Sequence, residues 1–200
     1  MIESLFPCPI GHYELDRELS KDEMGYLKNL PMEKNTGNDV SIRGDILHND
    51  RMIELTEFIG NSLEEFCKET WDFNTDKVQL YITQSWTNKT KKGDWHHAHI
   101  HQNSIVSGVF YFDGNKDDVI EFRNNKSWLG GQQWAVETQN ETYYNAERWW
   151  YPADVGTLLL FPSQLEHSVP EVEGDKDRYS ISFNTFFKGA IGNSKERTEL

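Results

Sequence analysis

The hydrophobic period of this sequence changes from 3.6 to 2 near residue 77, and this change restricts the fold more than any other feature. Between about residues 50 and 71, apolar side chains recur every three to four positions, which is typical of a helix that packs one face on a core. From residue 77, Val78, Leu80 and Ile82 alternate with polar residues, which predicts a half-buried strand. Helices followed by many strands favour helices packed on an antiparallel sandwich or barrel.

Local signals predict the remaining elements. Ser20 and Glu23 have the spacing of a capping box, so a helix is expected over 21–29, ending before Pro31. The segment 4–16 is expected to be extended and 33–50 to be a loop. Turn residues separate further strands expected at 104–113, 118–123, 155–161, 165–170 and 178–187. The aromatic-rich segment 124–153 is interpreted as an insertion, partly extended, that lies over the barrel.

Composition excludes several classes of partner. The 200 residues include 20 basic and 33 acidic residues, a net charge of −13, which argues against nucleic acid and against an anionic membrane surface. No apolar run reaches the length of a membrane span, and the N-terminus lacks the pattern of a secretory signal. Cys8 and Cys67 form no disulfide framework, so we expect a reducing, cytoplasmic compartment.

Four of the seven histidines lie within residues 96–101, immediately before the strand expected at 104–113. Residues i and i+2 of a strand point to the same side, so His99 and His101 can direct both imidazoles at one point. Such a pair is half of a metal site. His96 is expected to face solvent.

The second half of the site is expected from His167 and Arg178. His167 follows the buried run Leu158–Phe161 and a Pro-Ser turn, which could deliver its imidazole to the mouth of a barrel. If 165–170 and 178–187 pair as a hairpin, His167 and Arg178 face each other across it. A guanidinium there could hold a carboxylate in a bidentate pair, although a surface ion pair is the alternative role for Arg178.

These residues together resemble the 2-oxoglutarate/Fe(II)-dependent oxygenases, most closely the small bacterial and phage members. The resemblance covers about residues 78–188 and rests on His-x-His, a Ser-Gly-Val-x-Tyr strand at 107–111, Phe-Pro-Ser at 161–163, then His167 and Arg178. It implies a mainly β fold, the double-stranded β-helix or jelly roll, with N-terminal helices packed on it. We expect one domain over 1–188, with a helical part at 1–75 and the jelly-roll core at 77–188, followed by a flexible tail at 189–200.

The resemblance also implies the roles of individual residues. The matching metal ligands are His99, His101 and His167, although position 101 is histidine where the wider superfamily has a carboxylate. His97 or Asp94 could replace one of these ligands if the register shifts. Arg178 and Tyr111 match the residues that bind 2-oxoglutarate, with plain core packing the alternative for Tyr111. Residues that could line the pocket are Gln84, Trp86, Asn88, His97 and Asn184, of which Trp86 could equally be a packing residue.

The implied activity is that of an Fe(II)/2-oxoglutarate-dependent dioxygenase with O2 as oxidant, most simply a hydroxylase that couples decarboxylation of 2-oxoglutarate to oxidation of a C–H bond. The substrate would be a small molecule or a peptide, and a homodimer stays open. The expected location is the cytoplasm of a bacterial cell or of a phage-infected host. Two alternatives are a three-histidine, cupin-like metal enzyme that does not use 2-oxoglutarate and a non-catalytic jelly-roll binding protein.

Overall fold

The computed structural model describes residues 2–124, 137–192 and 195–200, and in it the two predicted α-helices precede the main run of strands. The two α-helices are Lys21–Lys28 (α1) and Ile53–Thr70 (α2), and short 3-10 turns at Ile46–His48 and Asp50–Met52 precede α2. The strands are Gly11–Glu14 (β1), Met32–Lys34 (β2), Asp39–Ser41 (β3), Val78–Thr90 (β4), His96–His99 (β5), Val106–Asp113 (β6), Val119–Arg123 (β7), Arg148–Pro152 (β8), Thr157–Pro162 (β9), His167–Val169 (β10), Arg178–Ile191 (β11) and Thr198–Glu199 (β12). No helix among these residues combines the length and apolarity that a membrane span requires.

The strands form two antiparallel sheets that face each other. The large sheet has the order β1-β9-β6-β11-β4-β3-β2, with β12 paired to β11, and the small sheet has the order β5-β10-β7-β8. From β4 to β11 the chain passes repeatedly from one sheet to the other, which is the winding of a jelly roll. The predicted double-stranded β-helix is therefore confirmed.

The large sheet is buried on both faces, which explains the continuous apolar runs in its strands. On β6, Phe110 packs with α2 in one cluster, while the next residue, Tyr111, points between the two sheets. On β9, Leu160 and Phe161 divide in the same way. The N-terminal helices cover the outer face of the large sheet, so its inner face and the small sheet enclose the remaining space.

Helix α1 begins where the sequence predicts. The Ser20 side chain accepts a hydrogen bond from the Glu23 amide, and the Glu23 carboxylate accepts one from the Ser20 amide. Helix α2 presents a stripe of buried residues, including Leu55, Ile59 and Leu63, as its 3.6-residue period predicts.

Two regions differ from the sequence predictions. The segment 33–50, predicted as a loop, contains β3 and most of β2, because β3 extends the large sheet by pairing with the exposed edge of β4. The described part of the insertion 124–153 contains β8, which pairs with β7 as the edge of the small sheet and so is part of the barrel itself. Residues 125–136 of that insertion lie outside the described residues.

The C-terminal segment also differs from the predicted tail. Strand β11 crosses residue 188 and continues to Ile191, and β12 returns beside it. The Leu200 amide donates to the Gly189 carbonyl at 2.9 Å. Gly189 adopts φ +110°, a left-handed conformation that favours glycine, and an added Cβ would lie 2.3 Å from the Lys77 carbonyl oxygen. That a single domain spans 1–188 stays a prediction.

Candidate metal and co-substrate site

Three histidines converge at one end of the small sheet. His99 ends β5 and His167 begins β10, and the two residues are directly paired across these strands. His101 follows β5 and is anchored by its own amide, which donates to the Ser163 carbonyl at 2.9 Å. One ring nitrogen of each of the three lies within 4.8 Å of the others. The structure therefore brings together His99, His101 and His167, the set that the resemblance implies.

Hydrogen bonds fix which nitrogen of each imidazole is free. Nδ1 of His99 lies 2.8 Å from the His97 carbonyl oxygen, and Nδ1 of His167 lies 3.0 Å from the Leu165 carbonyl oxygen. A carbonyl can only accept, so in each ring Nδ1 carries the proton and Nε2 keeps a free lone pair.

The third imidazole is held by a side chain. Nδ1 of His101 lies 2.5 Å from Oδ1 of Asn184, and the Ser107 hydroxyl donates to the same oxygen at 2.9 Å. Nε2 of His101 is 3.2 Å from Nε2 of His99. Three lone pairs thus converge, and second hydrogen bonds of this kind are those that orient metal-binding imidazoles in proteins. The donor set fits a first-row divalent metal.

Burial keeps these imidazoles neutral. It lowers the pKa of His99 and of His101, and it lowers that of His167 well below its usual value. The hydrogen bond that His101 donates to Asn184 opposes the shift in the pKa of His101 but does not reverse it. A neutral imidazole is the form that binds a metal ion, so at neutral pH no proton has to leave.

Arg178 and Tyr111 lie in the cavity beside these histidines, and both are almost fully buried. The guanidinium carbon of Arg178 lies 5.2 Å from the centroid of the Tyr111 ring. Nε and Nη1 of Arg178 and the hydroxyl of Tyr111 have no hydrogen-bond partner within the described chain. No ion pair among those residues includes Arg178 either. Buried cationic nitrogens without partners are costly, so this cavity is built to receive an anion.

The predicted hairpin between 165–170 and 178–187 is wrong. Strand β10 pairs with β5 and β7 in the small sheet, whereas β11 pairs with β4 and β6 in the large sheet. His167 and Arg178 still line one cavity, because the two sheets face each other across it. The loop between β10 and β11 crosses from one sheet to the other, so these two strands do not pair as a hairpin.

Sequence reasoning missed several residues of this cavity. Thr90, Ser180 and Ser182 line it together with the predicted Asn88 and Trp86. On β11, alternate residues from Arg178 to Asn184 are polar, while Ile181 and Phe183 between them are fully buried apolar residues that pack towards the helices. The alternation of polar with apolar residues along β11 is the sequence signal from which these cavity residues could have been predicted.

Of the remaining predicted residues, some line a second, open groove and others line neither cavity. Gln84, Trp86 and Asn184 line an open groove of about 410 Å³ on the outer side of His101. His97 is exposed and lines neither cavity, and the Asp94 carboxylate accepts a hydrogen bond from the Lys91 amide instead of joining the three histidines. His96 was expected to face solvent, and this is wrong: it is half-buried and lines both spaces, and burial lowers its pKa to about 3.

A family model matches residues 84–184 of this chain, and its description is "Putative 2OG-Fe(II) oxygenase". The matched segment runs from within β4 to within β11 and includes all the residues described above as lining the two cavities. No curated protein matches this sequence.

Solved structures with low sequence identity share the fold. HygX from Streptomyces hygroscopicus, with nickel and 2-oxoglutarate bound, superposes with a TM-score of 0.60 at 10% identity, covering 89% of this chain and 82% of that chain. The epimerase SnoN from nogalamycin biosynthesis, in complex with Fe3+, alpha-ketoglutarate and nogalamycin RO, gives 0.60 at 12% identity, with coverage of 91% and 81%. A Trichoplax adhaerens prolyl hydroxylase in complex with a peptide fragment gives 0.57 at 14% identity, with coverage of 88% and 83%.

Proposed function

The chain belongs to the 2OG-Fe(II) oxygenase family, and we propose that it is a hydroxylase that couples decarboxylation of 2-oxoglutarate to oxidation of a C–H bond. The observation that carries this proposal is the pairing of two features in one cavity. Three free imidazole lone pairs converge at one side, and Arg178 offers two unpartnered buried nitrogens at the other. A metal-chelating dicarboxylate satisfies both features at once.

His99, His101 and His167 would hold the iron through Nε2. When bound, Fe(II) together with 2-oxoglutarate and O2 supplies the oxidising chemistry, which protein side chains cannot supply themselves. Three neutral imidazoles leave the charge of a divalent ion uncompensated, and the two carboxylates of 2-oxoglutarate would balance it. The protein's part is to keep the Nδ1 protons on their acceptors, so that each Nε2 lone pair faces the same point.

Arg178 would bind the distal carboxylate of 2-oxoglutarate. The Tyr111 hydroxyl is suited to donate to the same carboxylate, because burial raises its pKa to about 12 and it therefore keeps its proton at neutral pH. Ser180 faces the cavity two residues after Arg178 on the same strand and offers a further hydroxyl. The cavity is closed on its far side by buried apolar residues such as Ile120 and Phe161, which exclude water from the co-substrate.

The open groove beside His101 is the proposed substrate site. Its lining offers the side-chain amides of Asn35, Gln84 and Gln102 and the indole of Trp86. Among the described residues that line it there is no Lys, Arg, Asp or Glu, in a chain of which 26% is charged. Amides pair with uncharged donors and acceptors, and an indole packs against a flat apolar surface. These properties support an uncharged polar substrate, either a small molecule or a peptide segment.

The cytoplasm remains the proposed compartment. The proposal rests on the sequence, in which the two cysteines, Cys8 and Cys67, lie far apart and do not form the pattern of a disulfide framework.

Anaerobic titration of Fe(II) and 2-oxoglutarate into the purified protein tests the proposal. We expect a weak visible charge-transfer band that requires both components. Arg178→Gln should weaken 2-oxoglutarate binding by at least ~100-fold, because it removes one partner of a buried ion pair. Arg148→Gln is the matched control, since Arg148 is half-exposed, pairs with Glu121 and does not line the cavity. Unchanged 2-oxoglutarate binding in Arg178→Gln would refute the assignment.

A second candidate is a three-histidine, cupin-like enzyme that binds its substrate directly to the metal. The observation that favours it is the donor set, because the groups of described side chains able to hold a metal contain histidine and no carboxylate. In the same titration, metal binding without any response to 2-oxoglutarate would support this candidate.

A further inference from the structure

A second cluster of three histidines lies beside the first one. His96, His97 and His99 each place one ring nitrogen within 4.8 Å of the others. The ring centroids of His96 and His99 are 4.5 Å apart, and that of His97 lies 5.0 Å from His96 and 5.2 Å from His99. His97 is exposed and the other two are half-buried, so this cluster opens to solvent, whereas His101 and His167 of the first cluster are buried.

The two clusters share His99, and this imidazole has one free lone pair. Its Nδ1 is held by the His97 carbonyl oxygen at 2.8 Å, so only Nε2 can bind a metal ion. One lone pair binds one ion. A cation held by His96, His97 and His99 therefore takes His99 away from His101 and His167.

The surroundings of the outer cluster leave its nitrogens accessible. The polar contact of His96 among the described residues is with Asn35, whose Nδ2 lies 3.5 Å from Nε2 of His96, at the outer limit of a hydrogen bond. The acidic chain, with a net charge of −13, attracts cations to its surface.

We propose that His96, His97 and His99 form a second metal site that selects borderline divalent ions such as Zn²⁺, Cu²⁺ or Ni²⁺. Imidazole donors favour these ions over Mg²⁺ or Ca²⁺, which prefer oxygen ligands. Occupation of this outer site excludes a metal ion from the inner site formed by His99, His101 and His167. The protein thus has two alternative three-histidine sites and room for one ion in them at a time.

Zn²⁺ binding to the metal-free full-length chain, measured by competition with a chromophoric chelator, tests the proposal without any activity assay. The native chain should bind one tight Zn²⁺. His97→Ala removes only the outer site and His167→Ala only the inner one, so each single variant should still bind one Zn²⁺. The double variant His97→Ala/His167→Ala leaves no described trio of ring nitrogens within 4.8 Å. Its affinity for Zn²⁺ should be at least ~100-fold lower than that of His167→Ala. A loss of this size exceeds the usual effect of changing a residue that only orients a metal ligand.

The matched control is His48→Ala/His167→Ala, which also lacks two histidines but removes an exposed ring outside both clusters. It should bind Zn²⁺ as His167→Ala does. If His167→Ala fails to fold by circular dichroism, His101→Ala breaks the inner site in its place. Loss of Zn²⁺ binding in a folded His167→Ala or His101→Ala variant would overturn the proposal, as would an affinity of the double variant equal to that of His167→Ala. Two tight ions in the native chain would overturn the shared use of His99.

Discussion

At the scale of single residues, the properties of the site depend on what holds the second nitrogen of each imidazole. Main-chain carbonyls hold His99 and His167, so these two orientations follow from the backbone. His101 instead depends on the side chain of Asn184, which lies on β11 in the opposite sheet. A substitution at Asn184 can therefore change the candidate metal site without touching a proposed ligand.

In a His97→Ala background, which removes the outer cluster, Asn184→Leu should weaken Zn²⁺ or Co²⁺ binding by about 10–100-fold, the usual effect of losing such a second hydrogen bond. Leucine has a similar volume but lacks the amide oxygen to which both Nδ1 of His101 and the Ser107 hydroxyl donate. The measurement is metal affinity by chelator competition. Gln84→Leu is the control, because Gln84 contacts the Asn184 amide at 3.4 Å but does not hold an imidazole. Equal affinities in the two variants would show that Asn184 does not position His101.

At the scale of single elements, caps and close contacts determine where helices begin and how strands pack. Helix α1 is held at its start by Glu23, which is buried and also receives two hydrogen bonds from Arg17. Strand β6 is held against β9 and β11 at Gly108, where no side chain separates the neighbours. Each arrangement predicts a change in stability.

Glu23→Gln should destabilise the protein at pH 7 by about 1–3 kcal/mol. The hydrogen bonds from Arg17 hold the pKa of Glu23 at about 2, below its ordinary value of 4.5. A lowered carboxyl pKa contributes stability above about pH 4.5, and this contribution is lost as the pH falls from 4.5 towards 2. Urea unfolding at pH 7 and at pH 3 measures it. The difference between native and variant should shrink at pH 3, and a difference that does not change with pH would contradict the assignment.

Gly108→Ala should destabilise the fold by about 1–3 kcal/mol through overpacking. An added Cβ would lie 2.2 Å from Cζ of Phe183 and 2.8 Å from Cδ2 of Leu160, and both of these side chains are fully buried. Gly60→Ala is the matched control, because Gly60 is exposed on α2 and an added Cβ there meets nothing within 4 Å. That change should stabilise the protein by about 0.5–1 kcal/mol through helix propensity. Thermal unfolding of both variants makes the comparison.

At the scale of the whole molecule, the candidate site joins the two sheets. His99 and His167 belong to the small sheet, whereas Arg178 and Tyr111 belong to the large one. A metal ion alone would be held mainly at the small sheet. A metal ion with 2-oxoglutarate would connect the histidines to Arg178 across the gap between the sheets.

Fe(II) and 2-oxoglutarate together should therefore raise the melting temperature more than the sum of their separate effects. A ligand at 100 times its Kd stabilises the folded state by about 2.7 kcal/mol, which corresponds to roughly 5–11 °C for a domain of this size. Anaerobic thermal-shift assays measure this. In Arg178→Gln the effect of the metal should persist and the extra effect of 2-oxoglutarate should vanish. An extra stabilisation that survives in Arg178→Gln would contradict the link between the sheets.

The sequence by itself indicated the two α-helices and most of the strands after them, and its resemblance to a known family implied the fold class and the three histidines that are proposed as metal ligands. The capping box at Ser20, the stripe on α2 and the alternation in β4 are local patterns. Such patterns can be recognised in a sequence because the residues that form them lie within a few positions of one another. The pair His99 and His101 was likewise visible at i and i+2. His167 and Arg178 are far from that pair in sequence; the segments around them made them candidates, and the resemblance then implied their roles.

Only the tertiary structure decided which sheet each strand joins and what surrounds each imidazole. Sequence numbers cannot show that β10 and β11 lie in different sheets, because strand pairing depends on the path of the whole chain and not on the turn between two segments. For the same reason, the contact between His101 and Asn184, 83 residues apart, had no local signal. The burial of His96 and the sharing of His99 by two clusters also emerged from packing, since the direction of a side chain is set by the elements that close around it.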